Sequence, residues 1–303
     1  MSEEKSLAKL LQEKLFSEKK NGMLKLSDDE TAKVDEFCED YKHYLDNAKT
    51  EREAVNAAIE IAKANGFKEY DRSAKYTAGE KVYYNNRGKS VILCVFGTEP
   101  LENGVKISAA HIDSPRLDLK ANPVYESNDL CLLKTHYYGG IKKYQWATIP
   151  LALHGVIFKA DGTKVEVCIG EKDDDPVFMV TDLLPHLAPE QSKRTLSEGI
   201  KGEELNVLIG SRPFKDDDVS EKVKLNILSL LFDKYGIVED DFVSAELEVV
   251  PAFKAKDVGL DRGLVGGYGQ DDRVCAYTAL RAILDCNNPK STCITVLTDK
   301  EEI

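Results

Sequence analysis

The stretch DDRVCAYTALRAILDC (residues 271–286), with STCITVLTDKEEI (residues 291–303) after it, decides the fold class. In the first part apolar residues recur at helical spacing, which puts Val274, Tyr277, Leu280 and Leu284 on one face. The second part is an apolar run of strand length, closed by the adjacent acids Glu301 and Glu302. A helix feeding a buried strand is the repeating unit of an α/β sheet. Just upstream, DVGLDRGLVGGYGQ (residues 257–270) reads as a glycine-rich loop that delivers the chain to the helix.

The same alternation occupies the first third of the chain. LSDDETAKVDEFCEDYKHYLDN (26–47) opens with a capping box, Ser27 with Glu30, and continues with Val34, Phe37, Cys38, Tyr41 and Leu45 at helical spacing. A second box, Thr50 with Glu53, starts a helix that Gly66 closes. GEKVYYNNRGKSVILCVFG (79–97) reads as a hairpin with its turn around Asn85 to Gly88. VKISAAHIDSP (105–115) is a short strand ended by His111, Asp113 and Pro115.

From Leu119 to Val250 the pattern changes to short alternating runs. GVIFKADGTKVEVCIG (155–170) is a hairpin around Asp161 and Gly162. LNVLIGSRPF (205–214) and SAELEVVPAF (244–253) are further strands, with one helix before Gly236. The expected organisation is therefore an α/β domain (1–118 and 251–303) interrupted by an inserted, largely β module (119–250). The acid runs KDDDP and KDDD read as solvated turns of that module.

With 303 residues, 42% of them hydrophobic, the chain can bury a sizeable core. The net charge of −12 argues against a sequence-independent nucleic-acid binder, which needs a basic footprint. Seven cysteines, with no CxxC pair and most inside apolar runs, read as buried thiols of a reducing compartment. The N-terminus lacks a signal-peptide core, and no apolar run is long enough for a membrane. The expectation is a cytoplasmic protein.

Three segments place metal-ligand types at the end of a strand or the start of a helix. In AAHIDSP, His111 and Asp113 point to the same side of an extended chain, so the carboxylate can orient the imidazole and leave one nitrogen for a metal. A satisfied histidine at a strand end fits this tripeptide as well. Asp271 and Asp272 fit a helix N-cap, but two acids exceed what capping needs, and the spare one can bridge two ions, with Arg273 balancing charge. Glu301 and Glu302 fit a solvated tail, or a division of labour in which one ligates and the other takes a proton from water. Jointly the three segments fit a two-metal hydrolase with zinc-type ligands. GLVGGYGQDD lacks both the GxGxxG spacing and a P-loop GK[ST], so its glycines are expected to let the backbone approach the metal site. HYYGGIKKYQW reads as an aromatic loop, in the core or against substrate.

HIDSPRLDLK, YYGGIKKYQWATIPLALHGVI, LLPHLAP, GGYGQDDRVCAYTALRAI and LTDKEEI, in this order, resemble successive blocks of the aspartyl aminopeptidase family of dizinc exopeptidases, most closely its clostridial-type bacterial members. The resemblance implies a zinc-exopeptidase-like three-layer α/β domain carrying an inserted β dimerisation domain, with dimers assembling into a tetrahedral dodecamer. It implies that His111 is a zinc ligand, Asp113 the acid that orients it, and Asp271 the carboxylate bridging two Zn²⁺. Glu301 becomes the general base and Glu302 a ligand of one zinc, with Co²⁺ as a possible substitute. His186 is implied to complete the substrate site of a neighbouring subunit. The implied activity removes N-terminal residues, acidic ones among them, from peptides, and Lys142 and Lys143 are candidates for reading an acidic side chain. The family's remaining ligands, an acid and a distant histidine, follow an EEIGS block. Because nothing follows Ile303 here, the resemblance implies an N-terminal portion of such an enzyme. Competing readings are a related metal-dependent deacylase or carboxypeptidase and, from another class, a non-catalytic assembly protein.

Overall fold

The computed structural model describes residues 6–17 and 19–302. Residues 1–5, part of the N-terminus read as lacking a signal peptide, lie outside the described residues, as do Glu18 and the Ile303 that ends the last motif. The chain divides into two units, residues 1–41 and 42–303. In the first, α1 (Leu7–Leu15) is capped by Ser6, and α2 (Asp28–Asp46) begins there and runs into the second unit. The Ser27–Glu30 box forms as expected: each backbone N–H donates to the other residue's side chain, at 2.9 and 3.3 Å.

The second unit opens with α3 (Glu51–Ala64), started by the reciprocal Thr50–Glu53 box and ended at Asn65, one residue before the expected glycine. A five-stranded sheet follows, built from β1 (Lys68–Glu69), β2 (Lys81–Asn86), β3 (Ser90–Val95) and β4 (Lys106–His111). Its fifth strand arrives much later in the chain. Strands β5 (Arg116–Ser127), β6 (Leu130–Tyr138), β7 (Leu151–Phe158), β8 (Lys164–Ile169), β9 (Met179–Val180), β10 (Val207–Gly210) and β11 (Ala245–Pro251) make a second, antiparallel sheet in the order β8-β7-β11-β5-β6-β10-β9. Helix α4 (Lys222–Tyr235) packs on it, over a core that includes Leu117, Leu133, Leu151, Ile157, Val207 and Val249.

Residues 257–270, expected as a loop, instead contain most of a two-stranded hairpin of β12 (Lys256–Val258) and β13 (Leu264–Gly266). Its strands are too short to show a period-2 pattern. Helix α5 (Gln270–Leu284) and β14 (Cys293–Thr298) complete the chain. The helix buries Ala276, Tyr277, Leu280, Ile283 and Leu284, but Val274 is 44% exposed and the buried place in that first turn belongs to Arg273. The buried stripe thus begins one residue earlier than the apolar pattern indicated.

The five-stranded sheet has the order β1-β2-β3-β14-β4, with β14 antiparallel to β3 and parallel to β4. Val91, Leu93 and Val95 alternate toward α3 and α5, whereas Ile92 and Ile107 point to the opposite face and are exposed. The protein is therefore an α/β structure with a second, β-rich layer system. The thiols depart from expectation: all seven are free, but only Cys131 is buried. Cys168 lies on the outward alternation of β8, and Cys275 on the solvent side of α5. No helix among the described residues is long and apolar enough to cross a membrane.

Candidate metal and catalytic site

Register builds the site. In the β4–β14 ladder His111 is opposite Thr298, and the N–H of Ile112 donates to the Thr298 carbonyl at 2.8 Å. Both parallel strands therefore end at the same sheet edge, where an open α/β sheet presents its ligands. His111 leaves one strand end there and Glu301 and Glu302 leave the other. The chain then crosses from β4 to β5 within Ile112 to Pro115, so Asp113 and Ser114 lie where the two sheets meet.

His111 Nδ1 is 3.1 Å from the Asp113 carbonyl and 3.5 Å from its Oδ1. A proton on Nδ1 satisfies this contact and leaves the Nε2 lone pair free. Nε2 faces Asp271 Oδ1 at 3.3 Å and Glu301 Oε2 at 3.6 Å. Burial works against charge on the imidazole, but the Asp113 carbonyl and the carboxylates of Asp113, Asp272 and Glu301 outweigh it and raise its pKa.

Asp113 is fully buried. It accepts from the N–H of Glu301 at 3.3 Å, the N–H of Glu302 at 3.1 Å and the Tyr138 hydroxyl at 2.5 Å. Burial opposes ionisation, yet these three donors hold the carboxyl below its ordinary range. Asp113 thus fixes the backbone of both glutamates as well as the imidazole.

Asp271 is set by a different chain of contacts. Ser114 Oγ donates to the Asp271 carbonyl at 3.0 Å and accepts from Arg273 Nη1 at 2.8 Å. Arg273 also donates to the Lys49 carbonyl at 2.9 Å, so these hydrogen bonds go to a hydroxyl and a carbonyl. Asp271 and Asp272 both depart from helical φ/ψ at the start of α5, just after Gly269 with φ +77°, and the peptide between the two acids is cis. The Asp271 carboxylate is 87% exposed.

One donor atom each from His111, Asp271 and Glu302 lie within 4.8 Å of one another. An imidazole nitrogen with two carboxylates is a donor set that zinc accepts, so these residues fit the ion. Burial pushes the Glu302 carboxyl upward, and Asp271, Asp113 and Glu301 add to it against the pull of His111. A cation at this place relieves that repulsion. Beside the group is a cleft of about 500 Å³ whose walls include Lys142, Trp146, Tyr268, Asp271 and Glu302. Lys143 instead lies 5.9 Å from the Tyr137 ring centre.

His186 sits in an exposed 3₁₀ turn, Pro185–Leu187, and is not one of the three grouped ligands. Local sequence pattern does not single out Tyr138, Ser114 or Gly139. At Gly139 a Cβ would come within 3.1 Å of Glu302 Oε2, so the glycine that lets backbone approach the acids comes from the aromatic loop. The adjacency of HIDSP and HYYGG to strand ends was the available signal.

Comparison with known proteins identifies the family. Residues 44–303 match the model of the aminopeptidase I zinc metalloprotease family (M18). A probable M18 family aminopeptidase 1 of Clostridium acetobutylicum is 55% identical over 293 residues, 95% of this chain and 63% of the relative. The crystal structure of an M18 aminopeptidase from Thermotoga maritima superposes with a TM-score of 0.89 at 46% identity, over 95% of this chain and 62% of that one. Aminopeptidase I from Clostridium acetobutylicum gives 0.86 at 50% identity, over 95% and 64%. The chain thus spans 63% of the length of the curated clostridial relative. Fold, ligand types and sequence together place the chain in the M18 family of aminopeptidase I zinc metalloproteases.

Proposed function

We propose that the protein acts as a zinc-dependent aminopeptidase, removing N-terminal residues from peptides. The observation that carries this reading is the convergence of His111, Asp271 and Glu302 within 4.8 Å, with Glu301 alongside. His111 Nε2 and the carboxylates of Asp271 and Glu302 would hold zinc, with Asp271 the carboxylate available to a second ion. When bound, zinc would supply a Lewis acid for a scissile carbonyl and lower the pKa of water. Glu301 would take a proton from water at Oε2 and return it to the leaving amine. Asp113 keeps the imidazole and both glutamates in place. Co²⁺ serves in place of zinc.

The cleft beside Glu302 receives the substrate's first side chain. Lys142 on its wall favours an acidic one. Residues 119–250 act as the dimerisation module between the catalytic segments 1–118 and 251–303, and His186 reaches a neighbouring subunit's site within a tetrahedral dodecamer. We place the protein in the cytoplasm.

Turnover by the native full-length protein tests the reaction. With Zn²⁺ or Co²⁺ it should release the first residue of unblocked peptides and leave N-acyl amino acids intact. Glu301→Gln should lower kcat by roughly 10²-fold or more with zinc content unchanged. Preference for acyl amino acids makes the protein a deacylase, and full activity in Glu301→Gln removes the base.

A further inference from the structure

We propose that Tyr138, the last residue of β6, is a positioning residue of the metal site, acting through Asp113 on His111, Glu301 and Glu302. The metal part of this inference rests on the function proposed above; the positioning part does not. Asp113 joins three strand ends. It receives the N–H groups of Glu301 and Glu302 from the end of β14 and lies against the His111 imidazole at the end of β4. From β6 it takes the Tyr138 hydroxyl, whose 2.5 Å contact with Oδ2 is the shortest of them. The two backbone donors reach Oδ1 and Oδ2 separately, both from the end of β14. The phenol adds a shorter bond to Oδ2 from another strand. It thereby tightens the hold on Asp113, whose carbonyl and Oδ1 face Nδ1 at 3.1 and 3.5 Å.

Tyr138 is itself held from behind. The Arg116 guanidinium lies 4.1 Å from its ring centre, and the two residues are cross-strand partners on β5 and β6. Arg116 is buried, and Glu51, Asp118 and Glu248 surround it at 3.2, 2.7 and 3.4 Å. Lys300, the residue before the glutamates, stands 5.0 Å from the same ring. The seven-stranded sheet therefore sends one rigid phenol into a site whose ligands come from the five-stranded sheet and α5.

Tyr138→Phe deletes only the hydroxyl. In the metal-free protein, ¹⁵N NMR of the His111 ring should show the proton on Nδ1, and the variant should shift a several-fold larger share to Nε2. Co²⁺ titration followed by its visible spectrum should show about tenfold weaker binding, the usual scale for removing a partner of a ligand. The double variant Tyr138→Phe/Asp113→Asn should bind no more weakly than Asp113→Asn alone, because the hydroxyl acts through that carboxylate. Unchanged tautomer populations, or losses that add in the double variant, overturn the proposal. If the unaltered protein binds no Co²⁺, the metal reading fails while the tautomer measurement still decides the role of Tyr138. Should Tyr138→Phe fail to fold, 3-fluorotyrosine at position 138 keeps the ring and strengthens the donor. Unmoved His111 ring shifts would then count against the proposal, and moved ones for it.

Discussion

At position 269 the backbone takes φ +77°, and a Cβ there would fall 1.7 Å from Nη1 of Arg273. Arg273 has nowhere to retreat, since it is 1% exposed and tied to Ser114 and the Lys49 carbonyl. Gly269→Ala should therefore cost about 3 kcal/mol in urea unfolding, combining left-handed strain with a displaced buried cation. Gly162→Ala, also at positive φ but with open space around the missing Cβ, should cost only about 1 kcal/mol. Equal losses would show that Arg273 does not hold this turn. The candidate donors are legible in the sequence, because His111, Asp271 and Glu302 are zinc-type residues at element ends. Their supports are not. Arg273 displaces Val274 from the buried face because apolar periodicity does not count a buried arginine, and Tyr138 shows its role only through a contact across 25 positions.

Helix α3 illustrates what an element adds. Its capping box is legible from Thr50 and Glu53, but Glu53 has a second task. One carboxylate oxygen caps the Thr50 N–H at 3.0 Å, and the other lies 2.7 Å from Nδ1 of the buried His154 on β7. His154 Nε2 faces Glu171 at 3.1 Å, and Lys49 and Lys254 close the cluster around that glutamate. Burial opposes the imidazolium, but the hydrogen bonds to Glu171 and Glu53 prevail and lift its pKa to about 9 from 6.5. A raised histidine stabilises the fold fully below pH 6.5 and loses that contribution as pH climbs through 9. Its size is on the order of 3 kcal/mol. Glu171, opposed by burial but drawn by His154, Lys49 and Lys254, falls to about 2, so its share is present above 4.5 and lost as pH drops through 2. The urea midpoint should fall from pH 6.5 to 9.5 in the unaltered protein and far less in His154→Gln. Parallel curves for the two proteins would exclude the cluster as the cause. In sequence His154 is only a histidine of the β region, since a partner 101 positions earlier leaves no local trace.

Across the whole molecule, pairing distance separates what local pattern shows from what it hides. The hairpins β2–β3 and β7–β8 close over short polar turns and are readable, whereas β14 joins β4 only after the second sheet has been built. Asp113 and the Glu301 N–H it binds are 188 positions apart. The same scale decides self-association. Leu183, Leu184, Leu187 and Leu196 are 54–71% exposed around His186, within the segment proposed for dimerisation. A contiguous exposed apolar patch larger than a few hundred Å² marks an interaction surface. The face of the five-stranded sheet bearing Ile92 and Ile107 is the competing apolar surface. If the proposed module carries the contact, Leu184→Asp/Leu187→Asp should shift the protein to its monomer in sedimentation velocity, with the melting temperature of the fold nearly unchanged because neither leucine is buried. Ile92→Thr/Ile107→Thr should leave the assembly intact. The reverse result would move the contact to the sheet face and detach His186 from any neighbouring site.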